Sequence, residues 1–254
     1  MLEYASVILL LVITTASAMP SPRIAIVTGA NKGIGFHIAE RLIREGFYTI
    51  IACRNEALGL EAVGKLGVIG KDVELRQLDI SDSKSIDSFS AAIQKDFSGG
   101  IDVLVNNAAI AFKNSDPTPF AQQAAPTFQT NFFGTVHLTT KMIPLLEKRG
   151  DGRSRIVNVA SQAGMLRIIK DGPLKVKMAS AEQSMSLLEL EDVARDFVTT
   201  VSSGATGAYP HTCYGFSKLC VIAYTKILAR LHPCILSNAC CPGRHLDCAD
   251  ANHS

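Results

Sequence analysis

Six short runs along the chain, "RIAIVT", "YTIIACR", "VELRQLDI", "IDVLVNNA", "RIVNVAS" and "ILSNACC", are apolar and β-rich almost without alternation. A strand with one wet face alternates polar and apolar residues, whereas a continuous apolar run has to be buried on both faces. A parallel sheet covered on each side by helices meets that demand, and the segments between the runs supply the helices. Between the first two, Ile34, Ile38, Leu42 and Ile43 recur at helical spacing and Gly46 ends the pattern. Repetition of this β-α-β unit with right-handed crossovers predicts an α/β fold, a doubly wound parallel sheet with helices on both faces.

Ligands of such sheets bind beyond the carboxyl ends of the strands, where this chain carries its distinctive residues. "TGANKGIG" follows the first run, Arg54 ends the second, Asp79 the third, "NNAA" the fourth and Ser161 the fifth. Gly29, Gly33 and Gly35 stand between a strand and a helix, a Rossmann-type arrangement. Their missing side chains let a pyrophosphate approach backbone amides at a helix N-terminus, where the dipole favours negative charge. An acidic residue at the end of the second strand would hold the ribose hydroxyls of NAD. The sequence instead has Arg54 there and Lys32 in the turn, so the expected cofactor is NADP(H), with its 2′-phosphate between two cations. The plain alternative is a pair of solvated surface charges. Asp79, followed by Ile80, is placed to accept a hydrogen bond from the adenine amino group, or else to cap the helix that opens at Ser81 and Asp82.

At 254 residues the chain has room for one large core, expected over residues 23–243. A net charge of +2 is too small to make nucleic acid or a membrane surface the expected partner. The seven cysteines are odd in number and form no CxxC pair, which argues against a disulfide framework or a metal site and for reduced thiols. Residues 1–22 read as an N-terminal extension. "ASVILLLVITTASA" ends in the small-residue form of a signal-peptidase site and is too short for a membrane span. "MLEYA" lacks the positive residues of a signal, and Met19 directly precedes "PSPRIAIVTGA". The expectation is a signal-like segment or a misassigned start. Cytoplasmic localisation is favoured, with the secretory pathway as the alternative if residues 1–18 act as a signal.

Residues 162–213 interrupt the rhythm between the fifth run and Tyr214. Within them "AEQSMSLLELEDVARDFVTTV" reads as helical, with Leu187, Leu190, Val193, Ala194 and Phe197 on one side. It is either an inserted helix bordering a substrate cleft or a structural cover.

"TGANKGIG", "LDI", "LVNNAAIAF", "NFFGT", "IVNVAS", "YGFSK" and "NACCPG", in that order from Arg23 to Gly243, resemble the short-chain dehydrogenase/reductases. The separation of 53 positions between Ser161 and Tyr214 looks like the NADPH-dependent carbonyl reductases of that family. The resemblance implies Tyr214 as general acid, Lys218 as its partner, Ser161 as the hydroxyl that orients a carbonyl, and Asn131 as the support of a proton relay. It further implies cofactor contacts at Gly29, Lys32, Gly33, Ile34, Gly35, Arg54, Asp79, Ile80, Asn107, Tyr214 and Lys218. The inserted helix implies a monomer, and Ala109 replaces the glycine that is commoner in "NNAG".

The chemistry suits those residue types. Reduction of a carbonyl needs a proton for the developing alkoxide, and a free tyrosine, with a pKa of ~10, donates well only when a nearby cation stabilises its phenolate. The four-residue spacing puts Lys218 on the Tyr214 side of a helix. Phe112, Met165 and the inserted helix are candidates for an apolar cleft around a small hydrophobic ketone, aldehyde or quinone, with ordinary core packing as the alternative for each. Cys220, six positions after Tyr214, reads as a small buried hydrophobe. After "NACCPG" the chain reads "RHLDCADANHS", without the threonine and strand pattern of the family. Residues 244–254 are thus expected to be an atypical tail, and the sheet to lack the family's last strand and part of the cofactor lid. This leaves an alternative, a truncated, weakly active or inactive NADP-binding or interaction protein.

Overall fold

Every residue of β1 (Arg23–Thr28) after Arg23 is buried, and successive side chains enter different cores. Ile24 and Ile26 face one hydrophobic cluster, Ala25 and Val27 the other, as the period of two in a strand requires. β2 (Phe47–Cys53), β3 (Val73–Gln77), β4 (Val103–Asn106), β5 (Arg155–Val159) and β6 (Leu236–Cys240) complete a sheet of six parallel strands in the order β3-β2-β1-β4-β5-β6. The order reverses between β1 and β4, which opens a crevice at their carboxyl ends. All six apolar runs form strands, β2 starting one residue before its expected stretch at Phe47 and the other five lying within theirs, and the doubly wound α/β fold is observed. This computed structural model describes residues 22–243 apart from 71, 114, 150–153 and 206. The extension before Pro22 and the tail 244–254 lie outside the described residues.

Helices α1 (Gly33–Arg44) and α2 (Glu56–Gly67) cover one face through Ala39, Ile43, Ala62 and Leu66. The other face is packed by α3 (Ser83–Asp96), α4 (Phe120–Phe128) and α5 (Gly134–Glu147), with α4 and α5 joined by a π-turn over Gln129–Phe133. The long segment after β5 holds the short α6 (Pro173–Ala179), started by a proline at its first turn, and α7 (Leu187–Ser202). α8 (Cys213–Leu231) then returns to the sheet.

The inserted helix is present but shorter than its sequence pattern. It begins at Leu187 rather than Ala181, because Ser186 forms a capping box. Ser186 Oγ accepts from the Glu189 amide at 3.2 Å, and Glu189 Oε2 accepts from the Ser186 amide at 2.8 Å. Its expected face is the one that packs: Leu190, Val193, Ala194 and Phe197 are buried, and the Phe197 ring lies 4.9 Å from Phe128 of α4 and 4.7 Å from Phe216 of α8.

One polar chain crosses this core. Asn106 Nδ2 donates to Thr139 Oγ1 at 2.9 Å and to Asn158 Oδ1 at 2.8 Å, and Asn158 Nδ2 donates to Thr225 Oγ1 at 2.9 Å. It joins α5, β4, β5 and α8, fixing the two helices against adjacent strands whose register pairs Asn106 with Asn158. Buried polar groups stabilise only when paired, so removing one link exposes the others to the full desolvation cost. Replacing Asn158→Ala is expected to lower unfolding free energy by about 3 kcal/mol. Loss of the exposed helix cap in Ser186→Ala should cost about 1 kcal/mol. Urea titrations of the two variants test this ranking.

Candidate active site

The turn after β1 is shaped to approach a ligand with its backbone. Gly29 and Gly33 have φ of 65° and 57°, the left-handed region that side chains disfavour. Gly35 is needed for space instead: a Cβ there would sit 2.4 Å from Asn107 Nδ2 and 2.6 Å from the Gly29 carbonyl oxygen. Lys32, at the cap position of α1, gives no side-chain hydrogen bond to the first turn, so the amides there face the crevice without a protein cap. Asn107 locks the turn from the other side. Its Nδ2 donates to the Thr28 carbonyl at 2.9 Å and to that of Gly29 at 3.3 Å, while Thr28 Oγ1 accepts from the amides of Asn107 and Ala108, each at 3.0 Å.

This turn borders a cavity of about 940 Å³. Lys32, Gly33, Ile34 and Gly35 line it at one wall, Arg54, Asp79 and Ile80 at another, and Asn107 to Ile110 at a third. Arg54 is exposed and its Nη1 lies 3.8 Å from Asp79 Oδ2. The Asp79 carboxylate does not cap α3, since Asp82 does that by accepting from the Lys84 amide at 2.9 Å. Asp79 Oδ1 accepts from the Ser81 amide at 2.9 Å and from Ser81 Oγ at 2.6 Å. Both cations are exposed at the cavity, and the Asp79 carboxylate lines it beside Arg54 and Ile80. Cradle, cations and acceptor fit a phosphorylated adenine dinucleotide.

A second cavity, about 240 Å³, shares Ile34, Asn107, Ala109 and Ile110 with the first and continues to Ser161, Tyr214 and Lys218. α8 supplies the last two. Thr212 Oγ1 caps this helix by accepting from the Gly215 amide at 3.0 Å, so Tyr214 occupies its first turn. Lys218, one turn on, is 3 % exposed, and its Nζ donates to the Val159 carbonyl at 2.5 Å and lies 5.8 Å from the centre of the Tyr214 ring. Burial disfavours the ammonium and pushes the Lys218 pKa down to about 8. Ser161 Oγ accepts from the Ala163 amide at 3.2 Å, which leaves its proton to be donated. The structure thus brings Ser161, Tyr214 and Lys218 together at the end of the dinucleotide crevice.

Asn131 is placed differently. It sits in the π-turn, 1 % exposed, and both ends of its amide are satisfied by protein. Its Oδ1 accepts from the Ile110 amide at 2.8 Å, and its Nδ2 donates to the Ile110 carbonyl at 2.9 Å and to Ser217 Oγ at 3.0 Å. Asn131 therefore clamps the loop after β4 to α8. Phe112 and Met165 do not line either of these cavities; Ile110, Ala111, Cys241 and Pro242 form the apolar wall beside Tyr214. Ala109 is exposed between the two cavities. Cys220 is fully buried, and burial pushes its thiol pKa up.

Sequence reasoning passed over Gly134, where a Cβ would fall 1.8 Å from the Ile80 carbonyl oxygen, pressing the π-turn against the Asp79–Ile80 wall. It also passed over Ser217, the α8 partner of Asn131. The "NFFGT" and "YGFSK" motifs contained both, but neither spacing nor polarity distinguishes a contact made across the fold.

A family model for the short chain dehydrogenases matches residues 23–172. The chain belongs to that family. Among its relatives, carbonyl reductase [NADPH] 1 of Mus musculus is 40 % identical over 229 residues, which are 87 % of this chain and 80 % of the relative. Carbonyl reductase [NADPH] 3 of the same species is 38 % identical over 230 residues, with 87 % and 81 % covered. Salutaridine reductase from Papaver somniferum superimposes with a TM-score of 0.77 at 28 % identity, covering 87 % of this chain and 86 % of that one.

The lysine carries a pH signature. Between its folded value of about 8 and its ordinary 10.5, the unfolded chain holds the Lys218 proton and the folded chain does not. Stability therefore rises with pH across that window by about 3 kcal/mol, and the gain is lost as pH falls back to 8. Other groups titrate there too, so the difference between wild type and Lys218→Met isolates this contribution. Urea unfolding at pH 8 and pH 10, which spans most of the window, is expected to show about 2 kcal/mol of it in the wild type and none in the variant.

Proposed function

We propose that residues 23–243 form a catalytic unit that reduces ketones, aldehydes or quinones to alcohols with NADPH, Tyr214 giving the proton. Family membership, together with relatives that are carbonyl reductases using NADPH, makes the chain an NADP-dependent oxidoreductase. The observation that supports the finer reading is the junction of the two cavities. It leads from the glycine turn past Asn107 and Ile110 directly to Ser161, Tyr214 and Lys218.

The dinucleotide, when bound, supplies the hydride. Gly29, Gly33, Gly35 and the first-turn amides of α1 would hold its pyrophosphate, Lys32 and Arg54 its 2′-phosphate, Asp79 and Ile80 the adenine, and Lys218 the nicotinamide ribose, with Asn107 also contacting the dinucleotide. Ser161 donates a hydrogen bond to the carbonyl oxygen, where negative charge accumulates. Tyr214 protonates that oxygen, and the Lys218 ammonium beside its ring stabilises the phenolate left behind. With a pKa of about 8, Lys218 is mostly charged at neutral pH. Asn131 contributes by holding Ile110 and α8 in place. The cavity walls Ile110, Ala111, Cys241 and Pro242 carry no charge, which supports a hydrophobic carbonyl as substrate. α7 covers α4 with the chain's own residues, which supports a monomer.

Following NADPH oxidation with menadione tests the reading. Tyr214→Phe is expected to lower kcat at least ~100-fold while cofactor binding changes by less than about twofold. Cofactor binding by a wild type that turns over no carbonyl would overturn the enzymatic role. Lys32→Ala and Arg54→Ala should each cut the preference for NADPH over NADH about tenfold. Equal use of both cofactors by the wild type would remove the basis of that assignment.

A further inference from the structure

The turn that follows Ser161 lies close on α8 at two glycines, Gly164 against the main chain and Cβ of Lys218 and Gly215 against the Ala163 carbonyl and the Thr212 side chain. Residues Gln162–Gly164 form one 3-10 turn, with the Gly164 amide bonded to the Ser161 carbonyl at 2.9 Å. A Cβ at Gly164 would fall 2.6 Å from the Lys218 carbonyl carbon and 2.7 Å from the Leu219 nitrogen. Facing it, a Cβ at Gly215 would fall 2.7 Å from the Ala163 carbonyl oxygen. Main-chain atoms of a helix and a turn cannot rotate aside as a flexible side chain would. Neither glycine has positive φ, so backbone conformation does not demand glycine at either position. Gly215 lies in the first turn of α8, where glycine is a poorer helix former than alanine. Close approach is the property left to explain both.

The contact brackets the reacting groups. Gly215 follows Tyr214 directly, Gly164 touches the main chain of Lys218, and Lys218 Nζ reaches back to Val159, two residues before Ser161. We propose that Gly164 and Gly215 are positioning residues, a close glycine seam that sets the separation of Ser161 from Tyr214 and seals Lys218 from water. The proposal rests on the carbonyl-reductase reading for its kinetic consequence, but the seam itself has a readout independent of activity.

Gly164→Ala must lift the turn off α8, moving the Ser161 hydroxyl relative to the Tyr214 hydroxyl and admitting solvent to the lysine. A misplacement of this size is expected to lower kcat ~10- to 100-fold. NADPH binding, followed by fluorescence, should change less than about twofold, since the glycine turn and Asn107 lie elsewhere. In a Ser161→Ala background the same substitution should cost less than about threefold, because the displaced hydroxyl is already gone. The Lys218 side chain, followed by carbon-13 NMR of labelled lysine in the unliganded protein, should titrate about one to two units higher in Gly164→Ala than in the wild type. Burial alone depresses its pKa, and Tyr214 is the titratable group described against it, so the shift reports the seam.

Unchanged kcat, full additivity with Ser161→Ala, or an unmoved lysine titration would each overturn the proposal. If Gly164→Ala does not fold, Gly215→Ala carries the same expectations, and failure of both to fold overturns it by making the glycines a requirement of folding. A wild type inactive on all carbonyls defeats the functional reading alone, and the lysine titration then decides the seam.

Discussion

The hydrogen bond from the Lys218 ammonium to the Val159 carbonyl is the contact on which the candidate active site depends. A cation taken out of water is costly, and it is tolerated here because its proton meets an acceptor at the carboxyl end of β5. That bond ties one turn of α8 to the strand end that leads into Ser161. It also explains why the lysine loses basicity: the environment holding it in place is the one that removes its solvent.

Around this point the fold works by fixing helices against strands with contacts that leave little play. The Thr139–Asn106–Asn158–Thr225 chain fixes α5 and α8 to adjacent strands. Asn131, in the π-turn between α4 and α5, reaches Ile110 and Ser217 and so joins the loop after β4 to α8. Gly134 brings the same π-turn against Ile80, so the walls of the dinucleotide crevice and the cleft beside Tyr214 are held by a single element. The proposed chemistry asks little of each side chain once this placement is made, since a serine proton, a tyrosine hydroxyl and a lysine charge suffice.

Much of this was legible beforehand. The strands were readable because burial on both faces leaves no polar alternation, and α1 because its apolar residues fall at helical spacing before Gly46. That the glycine turn, Arg54, Asp79 and Ser161 lie at the carboxyl ends of strands was readable because a parallel sheet delivers the residue after each strand to one edge, whereas Tyr214 and Lys218, on a helix, were picked out by the family motif. The start of α7 was misjudged by six residues: apolar spacing runs on through Ala181, while the cap at Ser186 depends on a local hydrogen-bond exchange. Phe112 and Met165 were candidates for the cleft or for ordinary packing, and the cavity beside Tyr214 is lined by Ile110, Ala111, Cys241 and Pro242.

The sequence by itself determined the layer architecture and the glycine turn after the first strand, because these follow from short-range periodicity and from the order of strands and helices, and its ordered motifs pointed to the family. Only the tertiary structure decided that Asn131 is a clamp with no free amide group and that Lys218 is buried rather than solvated. It alone showed that Gly164 and Gly215 meet main chain across a gap no methyl group can enter. Those properties arise between segments distant along the chain, where close packing, rather than any local preference, sets which atoms touch.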